Sequence, residues 1–293
     1  MSAKSFNIGL LQMRMSKSVA DNVQRACAML EKAASQGVEV ACLPELFASE
    51  YFCQTLDQSY FDLAEAIDGP TVTALSQVAK KTGMAIVASI YEKAAHGLYY
   101  NTIVIIENDG ATLGRYRKMH IPHDPLFEEK YYFAPGDLGF KSFATKAGNI
   151  GTLICWDQWY PEAARLTALQ GASVLFYPTA IGWHPAEKAE FGEAQVSAWE
   201  TMQRAHAIAN GVYVASVNRI GHEIIKGEGI EFFGHSFIAD PFGRILAMGS
   251  HDKEEILTAM VDPALIEYTR RNWPFFRDRR VDAYGGLTSR WSQ

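Results

Sequence analysis

The 293-residue chain contains no long apolar run. A membrane helix needs roughly 18 consecutive residues with few or no charges, and no segment approaches that length. This argues against a membrane protein. The apolar residues at positions 6–13 follow the alternation of a strand, and no small-residue cleavage site accompanies them. We therefore predict a first strand rather than a signal peptide, and a cytoplasmic location.

The chain also lacks an excess of basic residues. It has 27 Lys and Arg against 33 Asp and Glu, which gives a net charge of −6 at pH 7. Without a basic stripe, nucleic acid is not an expected partner. With 48% hydrophobic and 20% charged residues, the composition is that of an ordinary globular protein with a large core.

Cysteines are few and widely separated: Cys27, Cys42, Cys53 and Cys155. No CxxC pair occurs, which argues against a structural zinc site, a thioredoxin-like motif and a disulfide framework. A cysteine at the end of a strand is usually a small core residue, and this remains the interpretation for the first three.

No metal or cofactor is expected either. His120 and His123 have HxxH spacing but no evident third ligand, so His120 is expected to shape its loop. The stretch "GEGIEFFG" lacks the GK[ST] ending of a phosphate-binding loop.

The chain shows no repeat, no low-complexity linker and no sharp change in composition. We predict a single domain over residues 1–293, in which residues 262–293 form a C-terminal extension. Helices and strands alternate early and pair as hairpins midway, which favours an α/β fold of two packed mixed sheets with helices outside. The predicted strands are 6–13, 38–43, 84–91, 99–107, 111–116, 150–155, 172–177 and 212–217, and the predicted helices are 18–35, 71–82, 161–170 and 193–209.

Three potentially reactive residues follow predicted strands: Glu45, Lys118 and Cys155. Together they could supply a base, a cation for a developing oxyanion and a nucleophile. Each also has a simpler interpretation. The glutamate could be a solvated loop charge or a helix cap, and a lysine within "RYRKMH" is normally solvated, as Arg115 and Arg117 are expected to be.

The blocks "LPELF", "YRKMHIP" and "LICWDQWYPEAARL" resemble, in this order, the three signature blocks of the nitrilase (carbon–nitrogen hydrolase) superfamily. The resemblance implies an α-β-β-α four-layer sandwich whose subunits pair into homodimers or larger homo-oligomers. It also implies that Glu45 is the general base, Lys118 the transition-state stabiliser and Cys155 the nucleophile. Glu129, in "FEEKYYFAPGD", matches a second glutamate that orients the lysine and the substrate.

By the same resemblance, the thiol is expected to be exposed, with the N–H of Trp156 facing the developing oxyanion. Relatives that act on N-carbamoyl amino acids carry an arginine shortly after the cysteine, whereas residues 156–159 here are "WDQW". A carboxylate buried there would be unpaired, which is costly. The blocks instead resemble superfamily members that act on a cationic ureido substrate.

Such a substrate would need aromatic walls and a carboxylate for its ammonium group. The candidate walls are Tyr51, Trp156 and Trp183, and the candidate carboxylates are Asp124, Glu187 and Glu190. Many relatives have an acidic residue where this chain has His123, which leaves the contact with the amine open.

Two other functions remain open: an amidase or nitrilase of the same fold that acts on an uncharged substrate, and a non-catalytic binding homologue. The three intact reactive residues argue against a non-catalytic homologue.

The tail "RRNWPFFRDRRVDAYGG" is rich in residue types that are enriched at interfaces, which favours a subunit contact over a solvated arm.

Overall fold

A computed structural model describes residues 4–291, so both ends of the predicted domain, residues 1–3 and 292–293, lie outside the described residues. The helices are α1 (Val19–Ser35), α2 (Pro70–Thr82), α3 (Glu129–Tyr132), α4 (Pro161–Leu169), α5 (Pro185–Asn210) and α6 (Pro263–Asn272). The strands are β1 (Phe6–Gln12), β2 (Val40–Cys42), β3 (Ala85–Ala95), β4 (Leu98–Ile106), β5 (Thr112–Arg117), β6 (Ser142–Ala144), β7 (Asn149–Thr152), β8 (Val174–Thr179), β9 (Gly182–Trp183), β10 (Tyr213–Asn218), β11 (Ile220–Glu223), β12 (Ile230–Phe233), β13 (Phe237–Ala239), β14 (Ile245–Met248) and β15 (Glu255–Val261).

Two six-stranded sheets form the centre of the fold. Their strand orders are β15-β1-β2-β3-β4-β5 and β14-β13-β10-β8-β7-β6, and a small third sheet has the order β11-β12-β9. Both large sheets are mixed: β1 is parallel to β2 and antiparallel to β15, while β10 is parallel to β8 and antiparallel to β13. The predicted pair of mixed sheets is confirmed.

The period-2 pattern of the strands explains the layering. In β1, Ile8 and Leu10 belong to the core shared by the two large sheets, whereas Leu11 faces the core beneath α1 and α2. The same buried cluster continues past the second sheet to side chains of α4 and α5, such as Ala164 and Trp199. Alternate strand residues point to opposite faces, so each sheet has one face toward its partner and one toward helices. The result is the predicted α-β-β-α sandwich.

Several predicted elements are confirmed with small shifts at their ends. Ser18 caps α1 by accepting a hydrogen bond from the N–H of Asp21, and Gly83 ends α2 with φ +70°. The predicted hairpin is the β4–β5 pair, with Ile103 opposite Tyr116. The strand predicted to reach Cys155 ends at Thr152, and the cysteine opens a 3₁₀ turn instead.

Helix α5 is two turns longer than predicted. Pro185 begins it at the first helical position, where its missing N–H costs nothing. The helix continues through Gly192, and the indole N–H of Trp183 donates to the carbonyl oxygen of this glycine at 3.0 Å. Within residues 4–291, no helix has both the length and the apolar character needed to cross a bilayer.

Candidate active site

Lys118 lies between two carboxylates. It follows β5 directly, and its ammonium Nζ lies 2.7 Å from Oε1 of Glu45 and 2.7 and 2.9 Å from the two carboxylate oxygens of Glu129. All three side chains are fully buried. Glu45 comes from the loop after β2 and Glu129 is the first residue of α3, so three distant segments meet at one ammonium group.

Neighbouring side chains hold both carboxylates in place. Asn101 donates to Oε1 of Glu45 at 2.7 Å, and the hydroxyl of Tyr51 donates to Oε1 of Glu129 at 2.6 Å. Oε2 of Glu45 is buried and accepts no hydrogen bond from any described residue. An unpaired carboxylate oxygen in a buried site is costly, and it is free to accept a proton or a hydrogen bond during a reaction.

Cys155 begins the turn after β7 in a strained conformation, with φ +41°. Because Cys155 and Trp156 are the first residues of a 3₁₀ helix, their N–H groups have no acceptor within it. The thiol Sγ lies 3.8 Å from the carbonyl oxygen of Ala180. Cys155 is only 5% exposed, so the expectation of an exposed thiol is wrong. The side chain lines a cavity, through which a ligand can reach it.

The buried charges act on one another. Burial raises the pKa of Cys155 well above its usual value, the charge of Glu45 adds to this, and the charge of Lys118 opposes it. Burial alone would lower the pKa of Lys118, but Glu129 and Glu45 raise it well above its usual value. Burial also raises the pKa of Glu129 to about 7, against the opposing effect of Lys118. The lysine therefore stays charged, and it favours the thiolate form of the cysteine.

Asp157, which the sequence analysis did not single out, connects the lysine segment to the cysteine turn. This fully buried carboxylate accepts hydrogen bonds from the N–H of Ile154 at 2.9 Å and the hydroxyl of Tyr116 at 2.7 Å. It also contacts the backbone N–H and ring Nδ1 of His120 at 3.0 and 2.7 Å. Two of its partners, Tyr116 and His120, thus lie two positions before and two positions after Lys118. In the sequence, only the position of Asp157 two residues after Cys155 could have indicated that it belongs to the site.

A cavity of about 510 Å³ opens beside Cys155. Trp156, Asp124 and Glu187 line it, as the sequence analysis proposed for a binding site. Gln195, also in its wall, donates to Oε2 of Glu187 at 3.4 Å. None of the described residues that line the cavity is a lysine or an arginine. The cavity therefore presents two carboxylates and aromatic surface, a combination that suits an elongated cation.

Three other candidate binding residues lie outside the lining of this cavity. Tyr51 is fully buried and contacts Glu129 rather than the cavity. Trp183 is turned toward α5, with its ring against Phe233 and the ammonium of Lys188 4.5 Å from its centre. The third candidate, Glu190, is exposed on α5.

The expectation that Arg117 is solvated is wrong. Its guanidinium donates to both carboxylate oxygens of Glu92 at 2.7 and 2.9 Å and lies 3.8 Å from the centre of the Tyr100 ring. Arg115 is partly exposed and reaches the same glutamate at 3.0 Å. Two ion pairs and a fixed planar group anchor the strand that precedes Lys118. Within the described chain, no cluster of three or more His, Cys, Asp or Glu residues could hold a metal ion.

Comparison with known proteins agrees with this fold. The family model described as carbon–nitrogen hydrolase matches residues 7–271. A protein named N-carbamoylputrescine amidase from Solanum lycopersicum is 43% identical over 282 residues, which cover 94% of this chain and 93% of that protein. A citrullinase from Francisella tularensis is 36% identical over 288 residues, which cover 98% and 99% of the two chains.

Among solved structures, a carbon–nitrogen hydrolase from Helicobacter pylori superimposes with a TM-score of 0.95 at 43% identity and covers 99% of this chain and 100% of that chain. Nit3 from Saccharomyces cerevisiae, a member of the nitrilase superfamily, gives a TM-score of 0.79 at 29% identity, with 94% and 97% of the two chains covered. The chain belongs to the carbon–nitrogen hydrolase family of the nitrilase superfamily. It is an enzyme that hydrolyses carbon–nitrogen bonds other than peptide bonds.

Proposed function

We propose that this enzyme hydrolyses N-carbamoylputrescine to putrescine, carbon dioxide and ammonia, as a step of polyamine biosynthesis. The observation that carries this proposal is the cavity beside Cys155, whose described lining contains Asp124 and Glu187 and no lysine or arginine. The relatives named for this activity support it. The substrate has a ureido head for the thiol, a four-carbon apolar spacer and a terminal ammonium for the carboxylates.

Cys155 is the nucleophile in this mechanism. Its thiol gives a proton to Glu45 as Sγ bonds to the ureido carbonyl carbon, and Lys118 and the N–H of Trp156 stabilise the oxyanion. The bond to the terminal nitrogen breaks, ammonia leaves with the proton, and a carbamoyl thioester remains on the enzyme. Glu45 then takes a proton from water, which attacks the thioester and restores the thiol. The released carbamic acid decays to putrescine and carbon dioxide. Glu129 holds Lys118 in position throughout.

Ammonia release from a panel of substrates tests the proposal. N-carbamoylputrescine should have the highest kcat/KM, above L-citrulline, N-carbamoyl-β-alanine, an aliphatic amide and a nitrile. A citrulline carboxylate would enter a cavity without a counter-ion, which is costly. Preference for the amide or the nitrile would instead identify an enzyme for uncharged substrates. Absence of turnover on the whole panel, with an intact fold, would identify a binding homologue.

The contact with the ammonium group can be tested separately. Glu187→Gln and Asp124→Asn should each raise KM for N-carbamoylputrescine about tenfold, because a charge-assisted hydrogen bond contributes about 1.5–3 kcal/mol. Neither change should affect N-butylurea, which has the same ureido head and four-carbon chain but no ammonium. Glu190→Gln is the matched control, since this exposed carboxylate lies on the same helix outside the cavity lining. Equal effects on both substrates would place the ammonium elsewhere.

A further inference from the structure

A buried ion pair outside the reacting groups contacts the segment that carries Glu45. Arg219 lies between β10 and β11, and Glu223 is the last residue of β11. Their side chains are 0% and 4% exposed, and Nη1 of the arginine lies 2.9 Å from Oε1 of the glutamate. Burying a guanidinium is costly unless its donors are satisfied, so the remaining partners of Arg219 indicate what the pair does.

The arginine donates to the backbone of the loop that follows β2. Its Nη2 donates to the carbonyl oxygens of Glu45 at 2.7 Å and Leu46 at 3.1 Å, and Nη1 donates to that of Ser49 at 3.2 Å. Leu46 has φ +48°, a conformation that residues other than glycine rarely adopt. A planar cation that binds consecutive carbonyl oxygens holds the backbone in this strained turn.

The glutamate of the pair holds the other end of the same segment. Oε2 of Glu223 accepts a hydrogen bond from the N–H of Tyr51 at 2.5 Å. The hydroxyl of Tyr51 in turn donates to Glu129. Residues 45–51 therefore carry Glu45 at one end and the partner of Glu129 at the other, and one ion pair binds both ends. Lys118 lies between the two carboxylates that this segment places.

We propose that Arg219 and Glu223 are a positioning pair for the active site, a role that rests on the proposed function. They set the location of Glu45 relative to Cys155 through the backbone, and that of Glu129 through Tyr51. Neither residue is required to touch the substrate. Loosening the pair should therefore slow the reaction of bound substrate while leaving its affinity nearly unchanged.

Two variants test this in the enzyme. Glu223→Gln keeps the shape of the side chain and one acceptor but removes the charge. Arg219→Lys keeps the charge but loses the fork that spans two carbonyl groups. Asp240→Asn is the matched control: this fully buried aspartate also pairs with an arginine, Arg244, and caps a turn distant in sequence from the site residues.

Three quantities are measured for each variant: the folded fraction, kcat and KM for ammonia release from N-carbamoylputrescine, and the rate at which iodoacetamide alkylates Cys155, followed by mass spectrometry. We expect Glu223→Gln to lower kcat about 10²-fold, the cost of a misplacement of about 1 Å, with KM changed less than about twofold. Alkylation should slow as well, because the same displaced carboxylate accepts the thiol proton. Asp240→Asn should leave both rates unchanged.

A folded Glu223→Gln enzyme with wild-type kcat would overturn the proposal, and so would a raised KM at constant kcat, since that would make the pair a substrate contact. If Arg219→Lys does not fold, the kinetics of Glu223→Gln alone decide whether the pair positions the site. Failure of the proposed function is distinguishable. If the proposed function is wrong, the wild type releases no ammonia from N-carbamoylputrescine. Slower alkylation of Cys155 in Glu223→Gln than in Asp240→Asn would still support the positioning role of the pair. Equal alkylation rates in the two variants would reject that role.

Discussion

Replacing Lys118 with methionine should destabilise the protein in a pH-dependent way. The ammonium makes three contacts of 2.7–2.9 Å with two carboxylates that are both 0% exposed. Removing one partner from a buried ion pair typically costs about 3–5 kcal/mol, because the other charge stays buried without compensation. At about pH 8.5 we therefore expect Lys118→Met to lower the free energy of unfolding by about this amount.

The sign of the pH dependence follows from the carboxyl group of Glu129. In the wild type, burial raises the pKa of Glu129 to about 7, and Lys118 holds it down. Without the lysine this pKa rises further above its usual value of 4.5. A carboxyl group with a raised pKa binds its proton more tightly in the folded state, so its contribution to stability is present at low pH and lost as the pH rises through the folded-state pKa. The destabilisation should shrink toward about pH 5.5, by at most about 1.4 kcal/mol per pH unit.

Urea unfolding followed by circular dichroism at the two pH values measures this difference. Lys188→Met is the control: its ammonium lies 2.7 Å from Glu231, the same distance, but its side chain is 39% exposed. A surface pair contributes about 0–1 kcal/mol, so this variant should change little at either pH. Equal destabilisation of Lys118→Met at both pH values would refute the idea that unpaired buried carboxylates cause it.

Three further outcomes are expected. Cys155→Ala should abolish ammonia release while its unfolding midpoint stays near that of the wild type; a wild-type rate would remove the thiol from the mechanism. Asp157→Asn should lower kcat about 10²-fold, because this carboxylate holds both the lysine segment and the cysteine turn. Asp240→Asn is the control, since it also removes a buried charge that accepts backbone N–H groups, and it should leave kcat unchanged. Equal losses of kcat in the two variants would assign Asp157 a purely structural role. Truncation after Trp273 should yield a smaller species in sedimentation velocity, as loss of a subunit contact requires, and unchanged sedimentation would contradict the interface role of the tail.

The elements of the fold could be predicted because their signals are local. Alternating apolar residues in β1, the Ser18 cap of α1 and the Gly83 stop of α2 each depend on neighbours within a few positions. The start of α5 could not be predicted in this way. Its first two turns, "PAEKAEFG", mix three charged residues with alanines, a phenylalanine and a glycine, and the contact of Gly192 with Trp183 is not part of the helical pattern.

The candidate reactive residues could also be read from the sequence, since Glu45, Lys118 and Cys155 each stand in a recognisable block. Their partners could not. Arg117 and Lys118 are adjacent cations in one strand segment, yet the first pairs with Glu92 and the second with Glu45 and Glu129. Successive side chains point to opposite sides of a strand, and only the packing of the sheets determines what each side meets.

The sequence by itself determined the order of helices and strands, the family and the three groups available for chemistry, because periodicity, caps and short motifs act within a few residues. Only the tertiary structure decided that the thiol is buried, that Tyr51 contacts Glu129 instead of lining the cavity, and that Asp157 joins two segments. Those outcomes depend on burial and on partners far apart in the chain: 78 positions separate Tyr51 from Glu129. Such contacts arise where loops that follow different strands meet.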